Sequence, residues 1–379
     1  MEKPTILCVA NWDSDVGYAW WLMESFWAEI ARHYDEQYHA VIAYPSISKI
    51  PDEIAQSQLE VTAFDFVKPG IGTLFERLRF LIRHRVKYIY FSDRPISHWQ
   101  YLFYKLAGVK KIIVHDHTPG ERTRAGAVKQ FIKRCRVRTP WYSADAAIGA
   151  TEYVKHRLAD VNGLPPEKCF AAPNGIRMVD ESTANPADLH KQFQIPAGRQ
   201  IIISTGRANY YKGVDFALYV VKLLVEKHRH TDIHYLYLGD GPHLDDFKRL
   251  AKTLEITDFV SFPGRVNNVA AILPFCTVAF HPSKGEVGYS LSILEYMAAS
   301  LATVVPNNPS VCEATQDGVT GRIYQEGNTE DAASMISELI SDKVLAAQMG
   351  LDALEDVKSR YTLTHCHKAL TDALDQIIE

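Results

Sequence analysis

The chain has 379 residues, which allows two domains at roughly 100–200 residues each. Hydrophobic residues make up 47% and charged residues 23%, which excludes disordered, collagen-like and low-complexity chains. The formal net charge of -4 argues against a protein that lives on nucleic-acid phosphates. It divides unevenly, +4 over residues 1–180 and -8 over the remainder, and all six tryptophans lie in the first half. The apolar runs, such as 6–10 and 269–273, are far shorter than the ~20 residues of a membrane span. Residues 1–4 lead straight into a strand-like run with no signal-peptide pattern, so a cytoplasmic location is expected. The six cysteines form no CxxC pair and no zinc spacing. Cys8 and Cys276 sit in apolar runs and read as reduced, buried hydrophobes.

In chain order, residues 5–10 predict a strand, followed by a polar loop over 11–16. Trp20, Met23, Phe26, Trp27 and Ile30 then recur at helical spacing. Further strands are expected at 39–43, 88–91, 111–114, 146–149 and 168–172, with helices over 75–84 and from 151. Residues 178–199 are polar and irregular and read as a linker. The series then restarts, with strands at 200–205, 234–238, 260–262, 278–281 and 303–305. Helices are expected at 214–227, 244–254 and 292–300, from 331 and 343, and at the C-terminus. Strands alternating with helices of this length argue for parallel sheets. The expectation is an α/β chain of two doubly wound Rossmann-like domains facing a central cleft. The boundaries are 1–180 and 181–359, with a terminal helix over about 360–379 packing back on the first domain. In such sheets ligands bind beyond the carboxyl ends of the strands.

No GxGxxG follows the first strand, and there is no P-loop and no GxSxG elbow. Three other segments stand out. Gly206 and Arg207 close a strand, and Lys212-Gly213-Val214-Asp215 opens a helix, placing a guanidinium and an ammonium on one loop. These suit a phosphate, and equally a solvated loop. Gly239-Asp240-Gly241-Pro242 is a tight turn after a strand, which glycine and proline explain without function. Residues 285–295 run through Gly288 into a helix whose first N–H groups favour an anion, with Glu295 one turn inside.

Together, in this order, the segments resemble the retaining nucleotide-sugar glycosyltransferases of the GT-B fold, family four. There G-R, K-G-x-D, G-x-G-P and E-G-F-G-L…L-E-A-M-A follow one another. Pro173-Asn174-Gly175-Ile176 and Glu313 with Gly318-Val319-Thr320-Gly321 resemble two further stretches of that family. The resemblance covers residues 140–325 well and the first 140 loosely. It implies that Arg207 and Lys212 hold the donor diphosphate and that Glu295 binds the ribose. Gly288, Tyr289, Ser290 and Leu291 would offer backbone N–H groups. Arg265 and Val266 would lie near the base, and Gly17, Gly206, Asp240 and Gly241 would line the donor. The family's first Glu should fall seven residues before Glu295, at Val287; Glu286 stands one step earlier and is expected to serve. His115, in His115-Asp116-His117, is the histidine expected to face the donor sugar, with His117 in reserve.

The implied activity is transfer of a sugar from a UDP- or GDP-sugar to an acceptor hydroxyl, with no metal required. Glycan, lipopolysaccharide or glycolipid biosynthesis is the implied setting, with a glycan or lipid-linked acceptor. A sugar-nucleotide epimerase of the same fold and a non-catalytic nucleotide-sugar binding protein remain as alternatives. Asp13-Ser14-Asp15 spells a DxD but reads as an ordinary loop. Residues 122–138 hold seven cations and no acid. They read either as a solvated basic face or as a surface for anionic lipid at the inner face of the membrane, with no strong apolar face evident.

Overall fold

A computed structural model describes residues 3–16, 20–178 and 189–379. The chain divides into two compact units. The first is formed by the residues up to Thr118, by Arg122–Asn174 and by Leu363–Glu379; the second by Pro119–Glu121 and Gly175–Thr362.

The first unit alternates β1 (Thr5–Val9), α1 (Trp21–His33), β2 (His39–Tyr44), α2 (Asp52–Ala55), β3 (Glu60–Ala63), α3 (Gly72–Arg83) and β4 (Val86–Ser92). It continues with α4 (Gln100–Leu106), β5 (Lys111–Asp116), α5 (Ala127–Arg138), β6 (Ala146–Gly149), α6 (Glu152–Asp160) and β7 (Cys169–Ala171). Its seven strands are ordered β3-β2-β1-β4-β5-β6-β7, and every pairing is parallel. Strand β1 is buried along its whole length, as a strand covered on both faces must be.

The second unit contains α7 (Leu189–Gln192), β8 (Gln200–Thr205), α8 (Val214–Glu226), β9 (Ile233–Leu238), α9 (Leu244–Thr253), β10 (Val260–Gly264) and β11 (Val278–Phe280). Then come α10 (Leu291–Ala298), β12 (Thr303–Pro306), β13 (Gly321–Tyr324), α11 (Thr329–Ser341) and α12 (Lys343–Arg360). Its six parallel strands run β10-β9-β8-β11-β12-β13. Helix α8 buries Val214, Ala217, Leu218, Val221 and Leu224 at helical spacing against this sheet. The last helix, α13 (Leu363–Ile378), belongs to the first unit. There Asp375 accepts from the Tyr34 hydroxyl (2.6 Å) and pairs with His33 (3.0 Å), fastening α13 to α1.

The two doubly wound α/β sheets are those expected from the alternation of strands and helices. Two differences have local causes. Of the expected linker 178–199, residues 179–188 lie outside the described residues, and 189–199 are not linker. Leu189, Phe193 and Ile195 are buried in the second unit's core beside Ile201 and Leu236, apolar anchors hidden among polar neighbours. Strands β3 and β13 were not anticipated, because each is a four-residue edge strand without an apolar run.

The cysteines are free thiols, with Cys8 and Cys276 buried as expected. Asp13 accepts from the Asp15 N–H (2.9 Å) and the Ser46 hydroxyl (2.5 Å), closing a loop on itself. That is the ordinary-loop reading of its DxD.

Candidate active site

In the second unit the strand order changes direction between β8 and β11. The chain first builds outward through β9 and β10, then returns to the other side of β8. The loops leaving β8 and β11 therefore stand beyond the carboxyl ends of the strands at a switch point, where open α/β sheets place ligands. Arg207 and Lys212 follow β8, Asp240 and Gly241 follow β9, and residues 281–290 follow β11.

Close packing holds these loops together. Gly213 adopts φ +71, and a Cβ there would overlap the Pro282 carbonyl oxygen. Gly239 lies so near Gly206 that any side chain would meet the Gly206 carbonyl. Ala208 N–H donates to the Asp240 carbonyl (2.9 Å), and Lys284 N–H to the Tyr211 carbonyl (2.9 Å). The Tyr296 hydroxyl accepts from Thr205 N–H (2.6 Å), so α10 is tied to the end of β8.

Arg207 is exposed, and among the described residues no acceptor lies within hydrogen-bond reach of it. Lys212 is half-buried and its Nζ lies 2.5 Å from Glu286 Oε1. Glu286 also receives the Tyr211 hydroxyl (3.2 Å) and lies 3.1 Å from His281 Nε2. Burial alone would raise the Glu286 carboxyl, but the Lys212 ammonium overrides it and holds the group well below its usual range. Burial would likewise lower Lys212, and the Glu286 carboxylate overrides that and raises it. His281 is fully buried, and burial lowers its pKa despite the neighbouring carboxylate. The neutral ring then presents an Nε2–H to Glu286.

Helix α10 begins at this cluster. Ser290 caps it, accepting from Ile293 N–H (3.3 Å), and its hydroxyl lies 3.2 Å from His281 Nε2. First-turn N–H groups have no partner within a helix, so those of Leu291 and Ser292 are suited to an anion. The structure corrects the expectation for Gly288: its N–H donates to the Ser310 carbonyl (2.8 Å) and is spent within the protein. Tyr289 is buried with its ring against Tyr361, so its side chain serves the core. Glu295 is half-buried, and burial pushes its pKa up to about 7.

Asp240 is exposed, and its carboxylate accepts from Gly241 N–H (2.7 Å). Arg265 is exposed beyond β10, while Val266 packs on the core near β8 and β9. Gly206 is pinned on both sides, donating to the Leu238 carbonyl (3.1 Å) and accepting from the Tyr237 hydroxyl (2.9 Å).

In the first unit, β1 and β4 form the corresponding switch point. His115, on β5 beside β4, is fully buried. The Tyr90 hydroxyl meets its Nδ1, and burial drives the Tyr90 pKa far up, so tyrosine is the donor. Burial also lowers His115 well below its ordinary pKa. The remaining proton therefore sits on Nε2, which has no partner among the described residues. His117 lies on the same side, with ring centroids 4.0 Å apart, and its backbone N–H donates to Asp93 Oδ1 (2.6 Å). Gly17 lies outside the described residues.

Sequence reasoning missed His281, Tyr211 and Ser310. His281 carried a usable signal, since it follows an apolar strand directly, just as Gly206 and Arg207 do. Tyr211 and Ser310 carried none, because their roles come from loops meeting in space.

Comparison with known proteins places these features in a family. Residues 23–178 match the family described as Glycosyltransferase Family 4, and residues 186–355 the family described as Glycosyl transferases group 1. The chain belongs to these family-four, group 1 glycosyltransferases, and its two Rossmann-like sheets are the GT-B fold.

The chain is 29% identical to N-acetyl-alpha-D-glucosaminyl L-malate synthase of Bacillus anthracis, over 46% of this chain and 44% of that protein. It is 24% identical to alpha-monoglucosyldiacylglycerol synthase of Streptococcus pneumoniae, over 69% of this chain and 58% of that one. The chain thus spans about half the length of the curated relatives it matches. The crystal structure of Anabaena Alr3699/HepE in complex with UDP and glucose superposes with a TM-score of 0.76 at 14% identity, covering 98% of this chain and 100% of that one.

Proposed function

We propose that this protein is a retaining glycosyltransferase. It moves a sugar from a nucleoside-diphosphate sugar to an acceptor hydroxyl, in glycan, lipopolysaccharide or glycolipid biosynthesis. One observation carries the reading. The second unit's switch point gathers an exposed guanidinium, an ammonium held by a carboxylate, and the N-terminus of helix α10. This is chemistry for a diphosphate, with Glu295 one turn further for the ribose hydroxyls. The neighbouring structure holding UDP and glucose, and the relative named for a glycolipid product, support the donor and acceptor classes.

As the sugar–phosphate bond breaks, negative charge grows on the leaving diphosphate. Arg207 and the α10 N-terminus stabilise it most where it grows most. Lys212 has three N–H donors, so it can serve Glu286 and a phosphate oxygen together. Glu286 is engaged by Lys212, Tyr211 and His281, so it is placed to accept sugar hydroxyls rather than to attack carbon. Front-face departure, in which the leaving phosphate takes the acceptor proton, fits this arrangement and gives retention.

The cations stand where a metal would otherwise neutralise the diphosphate, so turnover is expected to survive chelator. Loss of turnover in EDTA, restored by Mg²⁺ or Mn²⁺, contradicts that part of the mechanism. The donor is tested by thermal shift with UDP-, GDP- and ADP-sugars, because a ligand that binds the native state raises the melting point by mass action. No shift with any of them overturns the reading. A shift without turnover under any acceptor identifies a binding protein, and an epimer formed from donor alone identifies an epimerase.

A further inference from the structure

Helix α5 is attached to the first unit along one edge. Gln130 Nε2 and Lys133 Nζ both donate to the Val161 carbonyl (3.2 and 2.8 Å), and Val137 is buried. The opposite face carries Val128, Phe131, Ile132 and Cys135, spaced i, i+3, i+4 and i+7. That face points to solvent: Val128 is 73%, Phe131 68% and Ile132 59% exposed, and Cys135 is exposed too. The basic segment therefore has a strong apolar face after all. It was hidden in the sequence because cations interleave with the apolar positions.

The cations flank this stripe. Lys129 and Arg136 lie to one side and Arg134 and Arg138 to the other, with Arg122 and Arg124 just before the helix and no acid over 122–138. Beyond the helix, Trp141 and Tyr142 are exposed as well. A solvated helix would be polar on this face, and one seated on protein would not be ringed by like charges. A second copy docked here would bring its own cations against these. An apolar stripe of helical period between basic flanks, with aromatic residues at its end, has the composition of a helix lying in the interface of an anionic membrane.

We propose that α5 is a membrane-docking element. Val128, Phe131 and Ile132 enter the acyl boundary of an anionic leaflet while the flanking arginines and lysines meet lipid phosphates. This goes beyond the donor reading and does not depend on it.

The test is cosedimentation of the full chain with phosphatidylcholine vesicles, with and without about one-third phosphatidylglycerol. Binding is expected to the anionic vesicles and to weaken in high salt. The double variant Phe131→Ser/Ile132→Ser keeps every charge and is expected to lower partitioning at least ~10-fold. Because both side chains are exposed, its melting point should match the wild type, as should its melting shift with nucleotide sugar. No binding to anionic vesicles overturns the proposal, as does wild-type binding by the double variant, which would leave charge alone responsible. A concentration-dependent dimer in light scattering that the double variant abolishes also overturns it, assigning the stripe to a second copy.

Discussion

Arg207 and Lys212 are two cations on one loop with different environments, so their variants separate chemistry from folding. Arg207→Ala is expected to lower kcat roughly 10²–10³-fold, the scale for losing one preorganised charge stabiliser, with an unchanged melting point because the side chain is exposed. Lys212→Ala should lose a similar factor and also stability, since it strips the ammonium from a buried Glu286. Steady-state kinetics and thermal melts on both variants check this pattern. Near-wild-type turnover in both would remove the diphosphate role.

Glu295 supplies a pH dependence. Its folded pKa of about 7 lies above the ordinary 4.5 because burial penalises the charged form. In the free protein, its contribution to stability is therefore greatest below pH 4.5 and falls as pH rises toward 7. A ribose diol donates to the ionised carboxylate, so donor binding should release a proton and tighten as pH rises through 7. Titrations at pH 6 and 8 should show this slope in the wild type and not in Glu295→Gln. At pH 8, Glu295→Gln should melt above the wild type in the absence of ligand, and at pH 4 the two should coincide.

At the scale of elements, the junction from β8 to α8 is the most constrained. Gly213 combines φ +71 with contact against Pro282. Gly213→Ala adds a left-handed alanine and a clash, so the loop holding Lys212 must move. Nucleotide-sugar melting shifts should disappear in this variant, with a lowered melting point, while far-UV circular dichroism retains the α/β signature. An unchanged shift would mean that Lys212 tolerates displacement.

The central elements were legible because β1, β8 and β9 are strand-length, mainly apolar runs that end in polar or glycine-containing turns. The edge strands β3 and β13 were not, since a four-residue strand with one face open needs no apolar pattern. Helix α5 was visible as charge but not as amphipathic, because cations interleave with its apolar stripe in the sequence.

At the scale of the whole molecule, each sheet reverses strand order once, between β1 and β4 and between β8 and β11. The residues noted from sequence fall near these switch points: His115 in the first unit, Arg207, Lys212, Glu286 and Glu295 in the second. Among the described residues no helix is long and apolar enough to cross a membrane, which agrees with the short apolar runs. The sequence by itself determined the α/β class, the two series of parallel strands, and the order of the G-R, K-G-x-D, G-x-G-P and Glu-bearing segments. Those features live in local periodicity and turn chemistry, which neighbouring residues dictate.

Only the tertiary structure decided that Lys212 and Glu286 are one ion pair and that His281 and Tyr211 hold the carboxylate. It also decided that the Gly288 N–H is spent on Ser310 and that α5 turns an apolar stripe outward. Each of these depends on which loops meet in space, and residues 74 positions apart in the chain, such as Lys212 and Glu286, carry no local signal of their contact.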